Sequence, residues 1–272
     1  VYRESWFCLG ESECEAKGRG RRSWLDGFLR RIPGVPSPWR ALIGKDIRLF
    51  FRDPVQWSQF LMFFGILAIY FTNLRALSYD ALDLHLKNVV YLLNVASLLV
   101  CLASLAGRFA FPMFSLEGNR FWLVGLSPLT FEAILAEKFW LSATANFLIT
   151  ASLTILSSNM LQVGPVLAWV GFFAAAAASL TLSALAVGMG AILPDFRTDN
   201  PVKTVSSFSG TLAFILEFVY VLMLIAVLAL VVKDAAVRPD LLSLITYPPA
   251  LAKLAFMLAL SLAFGWIPLA IA

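Results

Sequence analysis

Apolar residues fall along this chain in long unbroken runs, not in the alternation of a half-buried strand. Six such runs predict transmembrane helices, at residues 57–74, 89–106, 138–158, 166–192, 211–232 and 249–271. At 1.5 Å per residue, about 20 residues cover the ~30 Å hydrocarbon core of a bilayer. Trp57, Trp140, Trp169, Tyr247 and Trp266 fall near the ends of these runs, as interfacial aromatics do.

Before the first run the pattern changes to a helical stripe. In "PWRALIGKDIRLFFRDP", Trp39, Leu42, Ile43, Ile47, Phe50 and Phe51 recur at helical spacing, while Arg40, Lys45, Asp46, Arg48 and Arg52 take the other face. This predicts an amphipathic helix over 38–56 lying in the headgroup plane, or alternatively a solvated helix. Asp53-Pro54 breaks it before the chain enters the bilayer. A weaker amphipathic stretch, "SWLDGFLRRI", precedes it, and residues 1–37 read as a cytoplasmic linker. The expected fold class is an all-α integral membrane protein, with six transmembrane helices preceded by an amphipathic interfacial (elbow) helix.

Composition supports this division. The chain is 60% hydrophobic and 14% charged, with a mean hydropathy of +0.82, whereas soluble domains are about half apolar and a quarter charged. A helical bundle in water would lack the polar surface to coat itself. Cys8, Cys14 and Cys101 are too scattered for a disulfide framework or a zinc site, and a single histidine, His85, leaves no material for His-based catalysis. No signal peptide is visible. The missing initiator Met and the apolar final residues read as a segment of a longer protein.

Charge sets the expected orientation. All but five of the 21 Lys and Arg residues lie before the first run or in the second-to-third and fourth-to-fifth connections; the five are Arg75, Lys87, Lys233, Arg238 and Lys253. That asymmetry places the N-terminus and the long 107–137 connection in the cytoplasm. The net charge of +4 is then a signal of orientation and lipid headgroups, and nucleic acid is not an expected partner.

Polar residues inside the runs are the candidates for packing or for a pathway. Ser142, Asn146, Thr150, Thr154 and Ser158 recur every four residues, Asn94, Ser97, Cys101 and Ser104 share a face, and Gly171, Ala175, Ser179 and Ser183 form a groove of small residues. Each stripe can seat a neighbouring helix through hydrogen bonds or line a water-filled path. Glu217 differs, because a carboxylate near mid-membrane costs on the order of 3 kcal/mol and must face protein or water. It reads either as a substrate contact or switch, or as a hydrogen-bonding partner of another helix. The principal pathway candidates are Glu217, Asn94, Asn146 and Thr150. No metal ligands or catalytic residues are expected.

Several signatures are missing: G-x-x-x-x-G-K-[ST], H-E-x-x-H, G-x-S-x-G and the dinucleotide-binding glycine pattern. The expectation is a non-enzyme that binds no nucleotide or cofactor itself.

The stretch "FPMFSLEGNRFW" at 111–122 interrupts two apolar runs with charge, Gly and Pro. Pro112 is expected to end a helix, Gly118 to permit a turn, and Phe111, Phe114, Phe121 and Trp122 to anchor the segment. Glu117 and Arg120 offer both charges to a partner, or simply pair at the surface for under about 1 kcal/mol. Ser127-Pro128 and Thr130-x-Glu132 predict a capped helix start leading into the third run. Together with "KDIRLFFRDPVQWSQFLMF", "GRFAFPMFSLEGNRFWLVGLSPLT", "EKFW" and "LPDFRTDNPVK", this segment resembles the ABC-2-type transmembrane permeases of the bacterial ABC exporter permease family.

The resemblance implies a permease domain over 57–272 with a cytoplasmic coupling loop at 107–137. It implies a permease subunit of an ATP-binding cassette exporter, moving an unidentified substrate by alternating access across a bacterial inner membrane. Its partners would be cytoplasmic ATPase subunits that bind the ATP, a second permease half and the bilayer. The coupling residues would be Ser115, Glu117, Gly118, Arg120 and Trp122. Two other readings remain open: an ion-coupled secondary transporter or channel, and a non-transporting membrane scaffold.

Overall fold

The computed structural model describes residues 37–76, 84–120, 129–196, 201–237 and 247–272. These residues are all helical or in short connections, with no strand among them. The linker expectation for 1–37 falls almost entirely outside them, as do Ser127, Pro128 and most of the connection after residue 237.

The chain divides into two units, residues 1–52 and 53–272. In the first, α1 (Ser37–Arg52) covers the predicted stripe. In the second, α2 runs Pro54–Ala76, α3 Leu84–Leu105, α4 Phe131–Met160, α5 Pro165–Ile192, α6 Pro201–Val205, α7 Phe208–Val237 and α8 Pro248–Ile271.

Among the described residues, five segments are long and apolar enough to cross a membrane: Leu86–Gly118, Phe131–Met160, Pro165–Ile192, Phe208–Ala235 and Pro248–Ile271. That is the character of a membrane protein; the sixth expected span is not confirmed. The remaining expected span, 57–74, lies within α2, whose apolar part Pro54–Ile69 is shorter than the others. Thr72, Asn73 and Arg75 make the end of that helix polar.

α5 is the central helix: it packs against α3, α4, α7 and α8, and most of it is buried. Its residues explain this position. Runs of Ala, Ser and Gly present little side-chain bulk, so neighbouring backbones come close. At Gly190 a Cβ would lie 2.3 Å from the Phe111 carbonyl oxygen, so only glycine fits there. The outward faces of α4 and α8 carry large apolar side chains such as Leu148, Leu262 and Trp266, as a lipid-facing surface requires.

One local outcome differs from expectation. Pro112 does not end the helical path of the second run. After α3 the chain widens into a π-helical turn, Ala106–Ala110, and then tightens into a 3-10 turn, Phe111–Met113. Pro112 sits in the first positions of that turn, where its missing N–H leaves no bond broken. The capped start expected at Thr130 is observed: α4 begins there, ahead of the apolar run at 138–158, with Thr130 accepting a hydrogen bond from Ala133 N at 3.3 Å. Glu132 in the first turn complements the helix dipole.

Candidate functional site

Residues 111–118 pack against the bundle and do not hang free from it. Phe111, Pro112 and Phe114 are buried, and Ser115 is fully buried. Ser115 Oγ accepts a hydrogen bond from Asp195 N at 3.0 Å, which fastens the segment to the chain leaving α5. Glu117 N donates to the Phe114 carbonyl at 3.2 Å. Gly118 then takes φ 47° and ψ −134°, a backbone conformation that side chains oppose, and this kinks the chain.

Charge completes the site. Lys138, on the second turn of α4, brings its Nζ to 2.5 Å from Glu117 Oε1, with both side chains almost wholly buried. The same ammonium lies 5.3 Å from the centroid of the Phe114 ring, and Phe114 in turn packs 6.0 Å from Phe131. Glu137 beside Lys138 is also buried. Such a pair is tolerated in a low-dielectric interior only with close geometry, because each charge gives up several kcal/mol of hydration.

The predicted coupling residues therefore have unequal positions. Ser115, Glu117 and Gly118 lie in one segment, but Glu117 faces inward to Lys138 instead of outward to a partner. The side chains of Arg120 and Trp122 lie outside the described residues. Lys138 was legible only as one more cytoplasmic cation, and nothing in "EKFW" signals that it folds back under the preceding segment.

The predicted intramembrane residues do not converge. Asn146 Nδ2 donates to Ser183 Oγ at 2.8 Å, joining α4 to α5, and Thr150 Oγ1 donates to the Asn146 carbonyl at 2.7 Å. Here the polar stripe seats a helix. Asn94, on α3, is buried, with no hydrogen bond to its amide among the described residues. Glu217, on α7, is fully buried against Gly107 of the π-helical turn.

Sequence reading missed a node where three helices meet: the Tyr220 and Ser261 hydroxyls lie 2.9 Å apart, and Thr181 Oγ1 donates to the Ser261 carbonyl at 3.2 Å. It also missed Lys253 Nζ at 2.6 Å from Asp234 Oδ2. In both cases the partners are distant in the chain and no local spacing links them.

A protein-family model described as "Putative ATP-binding cassette" matches residues 1–272. The chain belongs to that family. No curated protein and no solved structure matches it.

This match corrects the resemblance to ABC-2-type permeases: the matching family is described as an ATP-binding cassette. The reading as a permease subunit driven by a separate ATPase falls with it, as do its second permease half and the secondary-transporter, channel and scaffold alternatives. The expectations of no nucleotide site and no cofactor in this chain are likewise overturned, since the family description implies ATP. The physical reason is that a layout of apolar runs and interfacial aromatics reports the solvent around a helix bundle. It carries little about the role of that bundle in an assembly. Membership of an ATP-binding cassette transporter system, with membrane helices, stands.

The described residues themselves do not fit the phosphates of ATP. A phosphate site offers converging backbone N–H groups and an available cation. Here the one glycine with a positive φ, Gly118, follows the carboxylate of Glu117, and the buried ammonium of Lys138 is engaged by that carboxylate.

Proposed function

We propose that this chain is a membrane-embedded component of an ATP-binding cassette transporter system, and that residues 106–138 pass nucleotide-dependent movement into its helix bundle. The observation that carries this reading is the Glu117–Lys138 pair. Together with the Ser115–Asp195 hydrogen bond, it ties one segment both to the start of α4 and to the end of α5. A displacement of that segment is thus delivered to two long helices at once, and breaking the pair would strand a buried charge.

Further parts of the proposal rest on sequence. α2 serves as a sixth membrane helix, and α1 lies at the headgroup interface with its cations toward lipid. The Lys and Arg asymmetry supports a cytoplasmic N-terminus. Glu117, Gly118 and Ser115 hold the transmitting segment, and Arg120 and Trp122 are its further coupling residues.

The test uses the complete assembly in nanodiscs with Asn119→Cys as a reporter. Its labelling rate by a water-soluble maleimide is expected to change several-fold on adding ATP, and that change is expected to vanish in Glu117→Gln. An ATP-insensitive rate in the parent protein sinks the proposal. Binding of a labelled ATP analogue to the purified chain, measured alongside, shows which part of the assembly holds the nucleotide.

A further inference from the structure

Glu217 stands apart from the other polar features of the bundle. α7 carries it between two and three turns past Phe208, with its side chain fully buried. α7 packs against α3, the π-helical turn, α5, α6 and α8. These elements bring little charge to it. α5 has no charged residue, and His85 and Lys87 lie at the opposite end of α3. Arg108 on the π-helical turn and Lys203 on α6 are exposed. Lys253 of α8 is paired with Asp234 near the far end of α7. Among the described residues no hydrogen bond or ion pair reaches either carboxyl oxygen of Glu217.

The pocket has a defined wall. A Cβ at Gly107 would lie 3.0 Å from Glu217 Oε2, so the carboxyl fits there because residue 107 has no side chain. Gly107 belongs to the π-helical turn, where one extra residue widens the helix, a feature frequent at functional sites. A bare carboxylate enclosed by apolar helices is far too costly to persist without a counter-charge. The described residues of the bundle supply none.

We infer that Glu217 and the π-helical turn form a binding site for one monovalent cation, a proton or an alkali ion, held at the carboxyl between α7 and residues 106–110. A proton needs only a carboxyl oxygen. An alkali ion would add carbonyl oxygens of the widened turn as ligands. The site lies away from the Glu117–Lys138 pair and does not depend on the role proposed for that pair.

Dicyclohexylcarbodiimide, a membrane-soluble reagent for protonated carboxyls, tests this on the full chain in nanodiscs. The acid gives its proton to a carbodiimide nitrogen while a carboxyl oxygen bonds the central carbon. An acyl shift from oxygen to nitrogen then leaves a stable acylurea with no atom lost. If the site takes a proton, mass mapping finds the adduct at Glu217 in choline, sodium and potassium chloride alike. If it takes an alkali ion, sodium or potassium lowers labelling several-fold relative to choline, and raises Tm in the parent protein but not in Glu217→Gln. No labelling in choline together with no alkali-dependent Tm shift overturns the inference. Gly107→Ala is the second variant, in case Glu217→Gln fails to fold. Its methyl group is expected to displace the carboxyl and change labelling of Glu217 several-fold, and an unchanged rate would refute the site's placement at the turn.

Discussion

Lys138 Nζ and Glu117 Oε1 meet at 2.5 Å although 20 residues separate them in the chain, and both side chains are buried. Removing one partner strands the other charge in a low-dielectric interior. Lys138→Met is therefore expected to cost about 3–5 kcal/mol, whereas Glu117→Gln with Lys138→Met should recover much of that loss. Thermal unfolding of the single and double variants in one detergent checks this. A double variant as unstable as the sum of the singles would show that the two groups are not coupled.

The backbone at Gly118 makes a second prediction. Its φ of 47° with ψ of −134° lies in a region that only glycine occupies at ease. Gly118→Ala should therefore destabilise by about 1–3 kcal/mol even though it adds a single methyl group. It should also loosen the Glu117–Lys138 pair, since the turn follows directly on Glu117. Denaturation together with proteolysis around residues 119–130 measures both effects, and an alanine variant as stable and as resistant as the parent would contradict it.

These two residues also show what was legible in the sequence. Gly118 could be read, because a glycine between Glu117 and Arg120 is a local signal of a turn. Lys138 could not, because its partner is remote and its own neighbours give only hydropathy. The membrane helices were legible for the same local reason: 166–192 and 249–271 lie within one residue of α5 and α8 at each end. The start of α4 was legible from its cap and not from hydropathy, since Thr130 accepts from Ala133 ahead of the apolar run. The π-helical turn at 106–110 left no trace in the apolar pattern, since widening a helix by one residue changes the phase of its faces and not their composition. The role of the bundle was the least legible part, and the permease resemblance was overturned by the family match.

The polar stripe of α4 supplies a third prediction. Asn146 donates to Ser183 across the α4–α5 interface at 2.8 Å. Interhelical hydrogen bonds inside membranes average about 0.6 kcal/mol in double-mutant cycles and reach about 1.7. The Asn146→Ala and Ser183→Ala cycle should return a coupling in that range, measured by unfolding in mixed detergent. A coupling near zero would mean that the stripe packs by shape alone, and a much larger one would require further partners at Asn146.

Close backbone approach gives the last prediction. At Gly190, inside α5, an added Cβ would meet the Phe111 carbonyl oxygen at 2.3 Å, a backbone atom of the 3-10 turn. No rotamer change can relieve that clash, so α5 must shift away from the segment that leads to Ser115. Overpacking of this kind costs about 1–3 kcal/mol. Gly65, on α2, has nothing within 4 Å of its Cβ position, so alanine there meets no obstacle and gains helix propensity of about 0.8–1.0 kcal/mol. Gly190→Ala should thus lower Tm while Gly65→Ala leaves it unchanged or raises it. Because Ser115 accepts from Asp195 just beyond α5, the Gly190 variant should also speed proteolysis around residues 119–130. Equal Tm values for the two variants would remove the case that this glycine sets the distance between α5 and the buried charge segment.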